Sequence, residues 1–367
     1  LHRRRHSFPT RRSSDLRSLT LGYAITFADL LLAPFTPSNT ARSGGTIFPI
    51  IANLPPLYGS KPNDPSARKI GSYLMWVAIT AACITSSMFL SALAPNLLAL
   101  ALVKSTVGIN ISWGNWFIGF LPVGILLILT MPLLAYIFYP PEVKFNDEVP
   151  RWASAELVKL GRLTRNEILL LVFVCCALAM WIFAAAVIEP ALAALLIIGL
   201  MLWTGVLEWN DITSNKPAWN TFFWFATLVA LANGLSTTGF IAWLGKEGGI
   251  LMSGVSPTTA TILIVVAFYL LHYLFASSTA HTTALLPAAL TIASTIPGMN
   301  MQVFCMLMVT SLGVMGIITP YGTGPSPIYY GSGYLPTKDY WRLGTIFGAI
   351  FLAALLLIGY PWMAMMF

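Results

Sequence analysis

Charged side chains are scarce in this chain. Only 9% of its 367 residues are Asp, Glu, Lys or Arg, and 57% are hydrophobic, whereas roughly a quarter of the residues in a soluble domain are charged. So little charge cannot cover a water-soluble globule. Long apolar runs such as 168–188 and 191–206 approach the length of about 20 residues that crosses a bilayer. The sequence therefore predicts an all-α polytopic membrane protein in contact with a lipid bilayer.

Several other protein classes are excluded by what is missing. The net charge of +7 owes +4 to the first sixteen residues, five arginines minus Asp15, and no basic stripe alternates with aromatic residues, so no nucleic-acid partner is expected. The four cysteines lie in apolar runs without metal-ligand spacing, which favours buried structural thiols. We predict no metal site and no cofactor.

Residues 1–16 differ from the rest of the chain. The stretch HSFPTRRSSDL, at 6–16, looks like a translated sequencing adapter, and it lacks the apolar core of a signal peptide. We treat 1–16 as a non-native segment. Because Arg17 stands at the start of a membrane element, we expect the N-terminal part of the natural protein to be missing.

Two apolar stretches are interrupted by a short polar motif. The first covers 19–54 and breaks at TPSNT, and the second covers 258–292 and breaks at ASSTAHTT. Each arm is too short for a comfortable crossing, so the pattern predicts two re-entrant hairpins. The predicted tip residues, which we assign to substrate binding, are Ser38, Asn39, Thr40, Ser277, Ser278 and Thr279.

A broken helix and then a full helix follow each hairpin. The first broken helix is interrupted at Ala94, Pro95 and Asn96, and the second at Thr319 and Pro320, shortly before Gly322. Paired interrupted helices in two matching halves indicate a transporter site at the breaks. The repeated order of hairpin, broken helix and full helix divides the chain into a first repeat, 17–165, and a second repeat, 166–367. The second repeat opens with three predicted spans, at 168–188, 190–206 and 218–244.

The distribution of basic residues predicts the orientation. The loops at 55–69 and 140–165 together carry eight Lys or Arg residues, whereas the loop at 104–112 carries only Lys104. The positive-inside rule therefore places the first two loops in the cytoplasm. Counting spans from there puts the second hairpin on the outer face and 338–342 inside, so the two repeats are inverted.

Half-helices that begin inside a membrane suit an anion, because their free N–H groups carry partial positive charge. Arg42 and His281 occupy equivalent places after the two motifs, and ionisable groups at membrane depth are functional candidates. We assign both to charge compensation for the bound anion. The alternative is that each pairs within the protein, Arg42 for example with Asp29, which otherwise faces water. His272 is interpreted as a core histidine.

The segments SNTARSGG, SSTAHTT and ITPYGTGPSPIYYGSGYLPTKDYWRLG resemble the divalent-anion:sodium symporter family. Within it, the bacterial citrate/succinate/tartrate exchangers and the plastid 2-oxoglutarate/malate translocators look most similar. The resemblance extends over 17–367. It implies a multi-pass carrier of di- or tricarboxylates in the bacterial inner membrane. It also implies a homodimer whose transport domain moves against a scaffold domain like an elevator.

The resemblance also assigns site residues. Thr319 and Pro320 match the break that completes the second half of the site, and Ala94, Pro95 and Asn96 match its counterpart. Sodium-coupled members read Ser-Asn-Thr in both motifs, but the second motif here has Ser278 in the central place, so a second sodium site is not expected. The hypothesis is that fixed charges replace sodium and enforce anion exchange.

Other functions remain open at this point. The first alternative is a sodium-coupled symporter of the same anions. The second is an intramembrane hydrolase with Ser332 as nucleophile and His281 as base, although no strand–turn–helix elbow surrounds this serine. A channel is the third. Citrate, succinate, malate, tartrate and 2-oxoglutarate all remain candidate substrates.

Overall fold

The computed structural model describes residues 18–144, 148–184, 187–252 and 254–367, and these contain helices but no strand. Seven of the helical segments within these ranges are long and apolar enough to cross a membrane. The prediction of an all-α polytopic membrane protein is therefore confirmed. The predicted non-native segment, 1–16, lies outside the described residues.

The α-helices of the described ranges are, in chain order, α1 (Ser18–Leu32), α2 (Phe48–Ile51), α3 (Leu54–Leu57), α4 (Gly71–Met88), α5 (Ala94–Val107), α6 (Trp113–Phe138), α7 (Glu148–Leu160), α8 (Arg165–Phe183), α9 (Pro190–Trp203), α10 (Trp209–Thr213), α11 (Lys216–Thr237), α12 (Phe240–Leu251), α13 (Pro257–Leu271), α14 (Ser278–Ser294), α15 (Met301–Val314), α16 (Ser326–Gly331), α17 (Thr337–Ala354) and α18 (Tyr360–Met366).

The chain turns back at both predicted tips. In the first hairpin, α1 ends in a 3-10 turn, Ala33–Phe35, and the second arm begins as a π-helix, Thr40–Ile47, that continues into α2. In the second hairpin, α13 ends in a 3-10 turn, His272–Leu274, and the second arm is α14. At both tips a 3-10 turn therefore ends the first arm, and both second arms begin at the polar motif, one as a π-helix and the other as an α-helix.

The first helix break lies about one turn earlier than predicted. α4 ends at Met88, residues 89–93 alternate between extended and 3-10 backbone, and Ala94, Pro95 and Asn96 form the first turn of α5. The physical reason is that proline, with its fixed φ and missing N–H, suits the first turn of a helix. The second break lies where predicted: after α15 and a 3-10 turn, the backbone becomes extended at Thr319.

The single span predicted at 218–244 is wrong. α11 ends at Thr237, Gly239 adopts a φ of 78°, and α12 begins at Phe240. A left-handed residue between two helices is a position that favours glycine, and it ends one helix and starts another. α12 then packs on α14, where Gly248 lies against the side chain of Ile292.

The two broken helices cross at the centre of the described structure. Every residue of α4 is buried, and so is almost all of α15. Close to both breaks, the backbone N–H of Val314 donates to Ser87 Oγ over 2.9 Å, and Trp116 Nε1 donates to Ser87 O over 2.8 Å. This crossing brings the end of α4 against the end of α15, so the two breaks lie close together.

Three segments predicted to share the cytoplasmic side meet at one end of the molecule. The backbone N–H of Glu142 donates to Arg68 O over 3.1 Å, and Tyr139 Oη donates to Asp339 Oδ2 over 2.6 Å. The loops before α4, after α6 and at the start of α17 therefore lie on the same side, as the span count predicted. The cytoplasmic orientation of this side, the division into two repeats and their inversion stay predictions.

Candidate functional site

Both hairpin tips contact the same segment, residues 319–325 of the second break. Asn39 Nδ2 donates to Thr323 Oγ1 over 2.6 Å, and Ser278 Oγ donates to Gly322 O over 3.0 Å. Because Gly322 and Thr323 are adjacent, the two tips rest on neighbouring residues. The fold therefore brings together two motifs that lie more than 200 residues apart in the sequence.

A glycine makes this close approach possible. A Cβ atom added to Gly324 would collide with Thr40 Oγ1 and would lie 3.6 Å from Asn39 Oδ1. Only a residue without a side chain allows the backbone of the break to lie so close to the first tip.

The serines at positions 38 and 277 order the start of each second arm. Ser38 Oγ accepts from the N–H of Ala41 over 3.2 Å, and Ser277 Oγ accepts from the N–H of Ala280 over 3.4 Å. Thr40 is exposed and Thr279 is half-buried. Two helix N-termini, with their partial positive charge and their hydroxyl groups, therefore lie beside the segment that joins the tips.

Arg42 is fully buried and bonds only within the protein. Its Nη1 donates to Thr36 O over 3.2 Å and to Ala92 O over 2.9 Å, and its Nε lies 3.3 Å from Asp29 Oδ1. Its Nη2 donates to the hydroxyl groups of Thr85 and Ser86. The pairing with Asp29 is one of the alternatives left open by the sequence. The guanidinium links the first tip to the first break, and the carboxylate balances its charge, so the geometry does not support an uncompensated charge at Arg42.

His281 is enclosed by aromatic rings. The ring centroids of Phe268, His272 and Phe275 lie 4.3, 4.9 and 5.1 Å from that of His281. Both ring nitrogens are buried, and within the described part of the chain neither has a hydrogen-bond partner. A charged imidazole would lose its hydration here without gaining an acceptor. The geometry favours a neutral ring and does not support the predicted fixed charge at His281.

His272 is a buried histidine with a hydrogen-bond partner, as the sequence indicated, and it also lies beside the second break. Its Nε2 lies 2.7 Å from Gly322 O, the same carbonyl that accepts from Ser278. A ring nitrogen facing a carbonyl must carry the proton, so His272 donates. The signal that was available is its position: it lies at the end of a hairpin arm, next to the tip, and not in the middle of the apolar run.

The other predicted site residues are divided between the two breaks. Thr319 lies at the second break, and its buried Oγ1 has no hydrogen-bond partner among the described residues. Pro320 and Gly322 follow it in the same segment. Asn96 instead donates its amide to Ser86 O over 2.8 Å and to Phe89 O over 3.2 Å, so it closes the end of α4. Ala94 and Pro95 precede Asn96 in the first turn of α5.

The sodium:sulfate symporter transmembrane region, as a family model, matches residues 13–367. The chain belongs to this family. Among curated relatives, the L-tartrate/succinate antiporters of Escherichia coli (strain K12) and Shigella sonnei are each 53% identical over 347 residues, which cover 95% of this chain and 71% of the relative. The antiporter of Shigella flexneri has the same identity and coverage. The resemblance stated from the motifs is confirmed, and the chain is a multi-pass membrane transporter, not an enzyme.

Sodium-coupled members of such a family imply a bound cation, and the carbonyl oxygens nearest the tips already have side-chain partners. At the first tip, the carbonyls of Thr36 and Ala92 accept from Arg42. At the second tip, the carbonyl of Gly322 accepts from Ser278 and His272. The oxygens of Thr36 and Ala92 thus each accept one side-chain hydrogen bond, and that of Gly322 accepts two.

The serine–histidine pair of the hydrolase alternative does not form. Ser332 Oγ donates to Tyr329 O over 2.6 Å, and His281 lies in its aromatic enclosure with no hydroxyl group as partner among the described residues. A nucleophile needs its base within hydrogen-bond reach, so this arrangement provides no activated serine.

Proposed function

We propose that this chain exchanges small dicarboxylate anions across the bacterial inner membrane and does so without sodium. The observation that carries the proposal is the meeting of both hairpin tips on the adjacent residues Gly322 and Thr323. The family is one of transporters, and the relatives at 53% identity are named as antiporters of L-tartrate and succinate. Four-carbon dicarboxylates are therefore the proposed substrates, ahead of citrate and 2-oxoglutarate.

Each carboxylate of the substrate is bound at one tip. The helix N-terminus at Thr40 and the one at Ser278 each contribute a partial charge of roughly half a unit. Amide and hydroxyl groups at the two motifs donate hydrogen bonds without the cost of burying a full charge. Thr319 adds a buried hydroxyl group that has no other partner among the described residues.

The unloaded carrier is held back by polar groups without a partner in the described part of the chain, such as the buried Thr319 hydroxyl, and not by fixed charge. Asn39 and Ser278 already donate to Thr323 and Gly322. Arg42 is balanced by Asp29, and His281 is favoured neutral, so the two charges of the original hypothesis are replaced by the backbone N–H groups and hydroxyl groups of the tips. Moving such groups through the bilayer core without a partner is costly. A bound dicarboxylate satisfies them, and the loaded site crosses.

Independence of sodium follows from Arg42. A guanidinium remains protonated in proteins, and here it occupies the carbonyls of Thr36 and Ala92. It cannot dissociate as an ion would, so it binds the first tip to the first break in every step of the cycle.

We also propose a homodimer with an elevator-like movement. Within the chain, α8 and α9 form a small core of their own around Ala177, Ile197 and Met201, and α8 is largely uncovered. Such a pair fits a scaffold that contacts lipid or a second copy. Light scattering of the purified protein, corrected for detergent, should give twice the chain mass of 39.9 kDa; a single chain mass would contradict the dimer.

The function is tested by uptake of labelled succinate into proteoliposomes. Vesicles contain either unlabelled succinate or none, with sodium or potassium outside. We expect uptake only into preloaded vesicles and equal rates with the two cations. Sodium-driven uptake into empty vesicles would instead show a symporter, and uptake into empty vesicles with either cation would show a channel or uniporter.

A further inference from the structure

A cavity lies at one end of the molecule, beyond α16. Its volume is about 600 Å³, and it lies between the loop that precedes α4 and the segment that joins α16 to α17. The lining residues used below are Asn63, Asp64, Arg68, Tyr330, Gly333 and Thr337. This is the end where the predicted cytoplasmic loops meet.

Arg68 is held in place by one ring contact and one hydrogen bond. Its guanidinium carbon lies 3.6 Å from the centroid of the Tyr139 ring, and its Nη2 donates to Pro140 O over 3.0 Å. Its Nη1 is buried and has no hydrogen-bond partner in the described ranges. A buried donor without an acceptor is costly, and a guanidinium fixed by stacking is preorganised to bind a planar oxyanion. The side chain is therefore arranged to receive a carboxylate or a phosphate.

The surroundings of the cavity are electropositive. The segments 61–69, 142–144 and 338–342 carry six basic and three acidic residues, a net charge of +3. The acid that lines the cavity, Asp64, accepts from the N–H of Ser66 over 2.8 Å and caps a short 3-10 helix. Hydrogen bonds from Ser66 lower the pKa of Asp64. This carboxylate is thus charged but engaged with its own backbone, and the field around it still attracts anions.

A short helix connects the cavity to the hairpin tips. α16 follows the segment 319–325, and at six residues it is about 9 Å long. Along it, Tyr329 Oη donates to Ser43 O over 3.0 Å, next to the first tip. The following residue, Tyr330, lines the cavity and lies within 2.7 Å of Thr337 Oγ1 through its hydroxyl group.

We propose that this cavity is an additional anion site, where a dicarboxylate binds to Arg68 before it passes to the hairpin tips. The proposal rests on the proposed function for the identity of the anion. An anionic lipid headgroup has the same chemistry, and the experiments below separate the two sources.

The transport test compares Arg68→Gln with Lys159→Gln, whose exposed side chain pairs with Glu156 on α7. Exchange of succinate is measured in right-side-out and in inverted membrane vesicles, at low and at high salt. For Arg68→Gln, we expect the KM to rise about tenfold on the side of the cavity alone, with the maximal rate kept, because local attraction of the anion is lost. Lys159→Gln should change neither value.

Two further outcomes decide the proposal. Arg68→Lys keeps the charge and should restore the salt dependence of the KM, which guards against a purely structural effect of losing the Tyr139 stack. An equal change of KM on both sides, or a loss of maximal rate alone, would overturn the site. So would an effect of Arg68→Gln that appears in vesicles with phosphatidylglycerol but not in pure phosphatidylcholine, because the occupant would then be a headgroup.

Binding without transport separates this proposal from the proposed function. The variant Asn39→Ala/Ser278→Ala removes donors at both tips, and succinate should still raise its unfolding temperature. Adding Arg68→Gln should abolish that rise. Suppose that the unaltered protein exchanges succinate but succinate does not raise the unfolding temperature of Asn39→Ala/Ser278→Ala. The cavity proposal then fails, and the proposed function stands. If the rise is present but the unaltered protein exchanges no dicarboxylate, the proposed function fails and the anion site stands.

Discussion

The buried side chain of Arg42 is stable only because several parts of the chain supply its hydrogen-bond acceptors. It is completely buried, and its acceptors come from four parts of the chain. They are Asp29 on α1, Thr36 at the tip, Thr85 and Ser86 on α4, and Ala92 at the first break. Thr85 also donates to the second oxygen of Asp29. A buried ion pair is stable only while both partners and their hydrogen bonds are present.

Removing one partner of the Arg42–Asp29 pair should therefore destabilise the protein more than removing both partners. Arg42→Met leaves the Asp29 carboxylate buried without its cation and should lower the free energy of unfolding by about 3–5 kcal/mol. The double variant Arg42→Met/Asp29→Asn should recover a large part of that loss. Thermal unfolding of the single and double variants in detergent measures the difference, and a double variant as unstable as Arg42→Met would contradict the pairing.

The contact between the first tip and the second break depends on Gly324. Gly324→Ala places a Cβ against Thr40 Oγ1, which should displace the tip by on the order of an ångström and reduce succinate exchange by about tenfold or more. Gly199→Ala is the matched control, because a Cβ there meets no atom within 4 Å. If Gly324→Ala is expressed normally and exchanges succinate at the rate of the unaltered protein, the contact is not needed for transport.

The sequence predicted the polar tip residues but not their partners. Ser38, Asn39 and Thr40 are recognisable because a polar motif in an apolar run has few structural reasons to exist. The sequence offered Asp29 as a partner for Arg42, but the other acceptors of Arg42 and the rings around His281 were not predictable from equivalent places in the repeat. Arg42 bonds to residues up to 50 positions away, and the rings around His281 are set by how the hairpin folds.

At the scale of elements, the crossing of α4 and α15 depends on close packing at a glycine. A Cβ added to Gly313 would lie 2.6 Å from Ser87 Oγ and 2.7 Å from Cys83 O. Both neighbours belong to α4, which is buried along its whole length, so neither has space to move.

Gly313→Ala should accordingly destabilise the protein by about 1–3 kcal/mol through overpacking. The control Gly199→Ala should be neutral or stabilising, because alanine is the better helix former by up to about 1 kcal/mol. Both are measured as shifts of the unfolding temperature. Equal shifts for the two variants would show that α4 and α15 do not pack as closely as described.

Helix ends were predicted less well than helices. Pro95 marks the first break in the sequence, but a proline is compatible with the start of a helix as well as with its interruption, and the structure uses it as a start. The division between α11 and α12 depends on Gly239 alone, in a run whose composition is otherwise that of one continuous span.

At the scale of the whole molecule, the hydrogen bonds among the loops before α4, after α6 and before α17 define one common side. The sequence predicted this common side because charge distribution and the number of crossings are properties of the whole chain. The same properties predict that Lys104, which is exposed near the end of α5, lies on the opposite side.

Labelling of single cysteines tests the orientation. In a variant whose cysteines at 83, 175, 176 and 305 are replaced by alanine, Lys61→Cys should react with a membrane-impermeant maleimide only in inverted vesicles. Lys104→Cys should react only in right-side-out vesicles. Labelling of both from the same side would contradict the predicted topology.

The bonds from Asn39 to Thr323 and from Ser278 to Gly322 also constrain timing. Consecutive Cα atoms are about 3.8 Å apart, so the tips cannot separate while both bonds hold. Widening the gap between them requires at least one bond to break first. If cargo leaves between the tips, the loss of one of these two hydrogen bonds precedes its release.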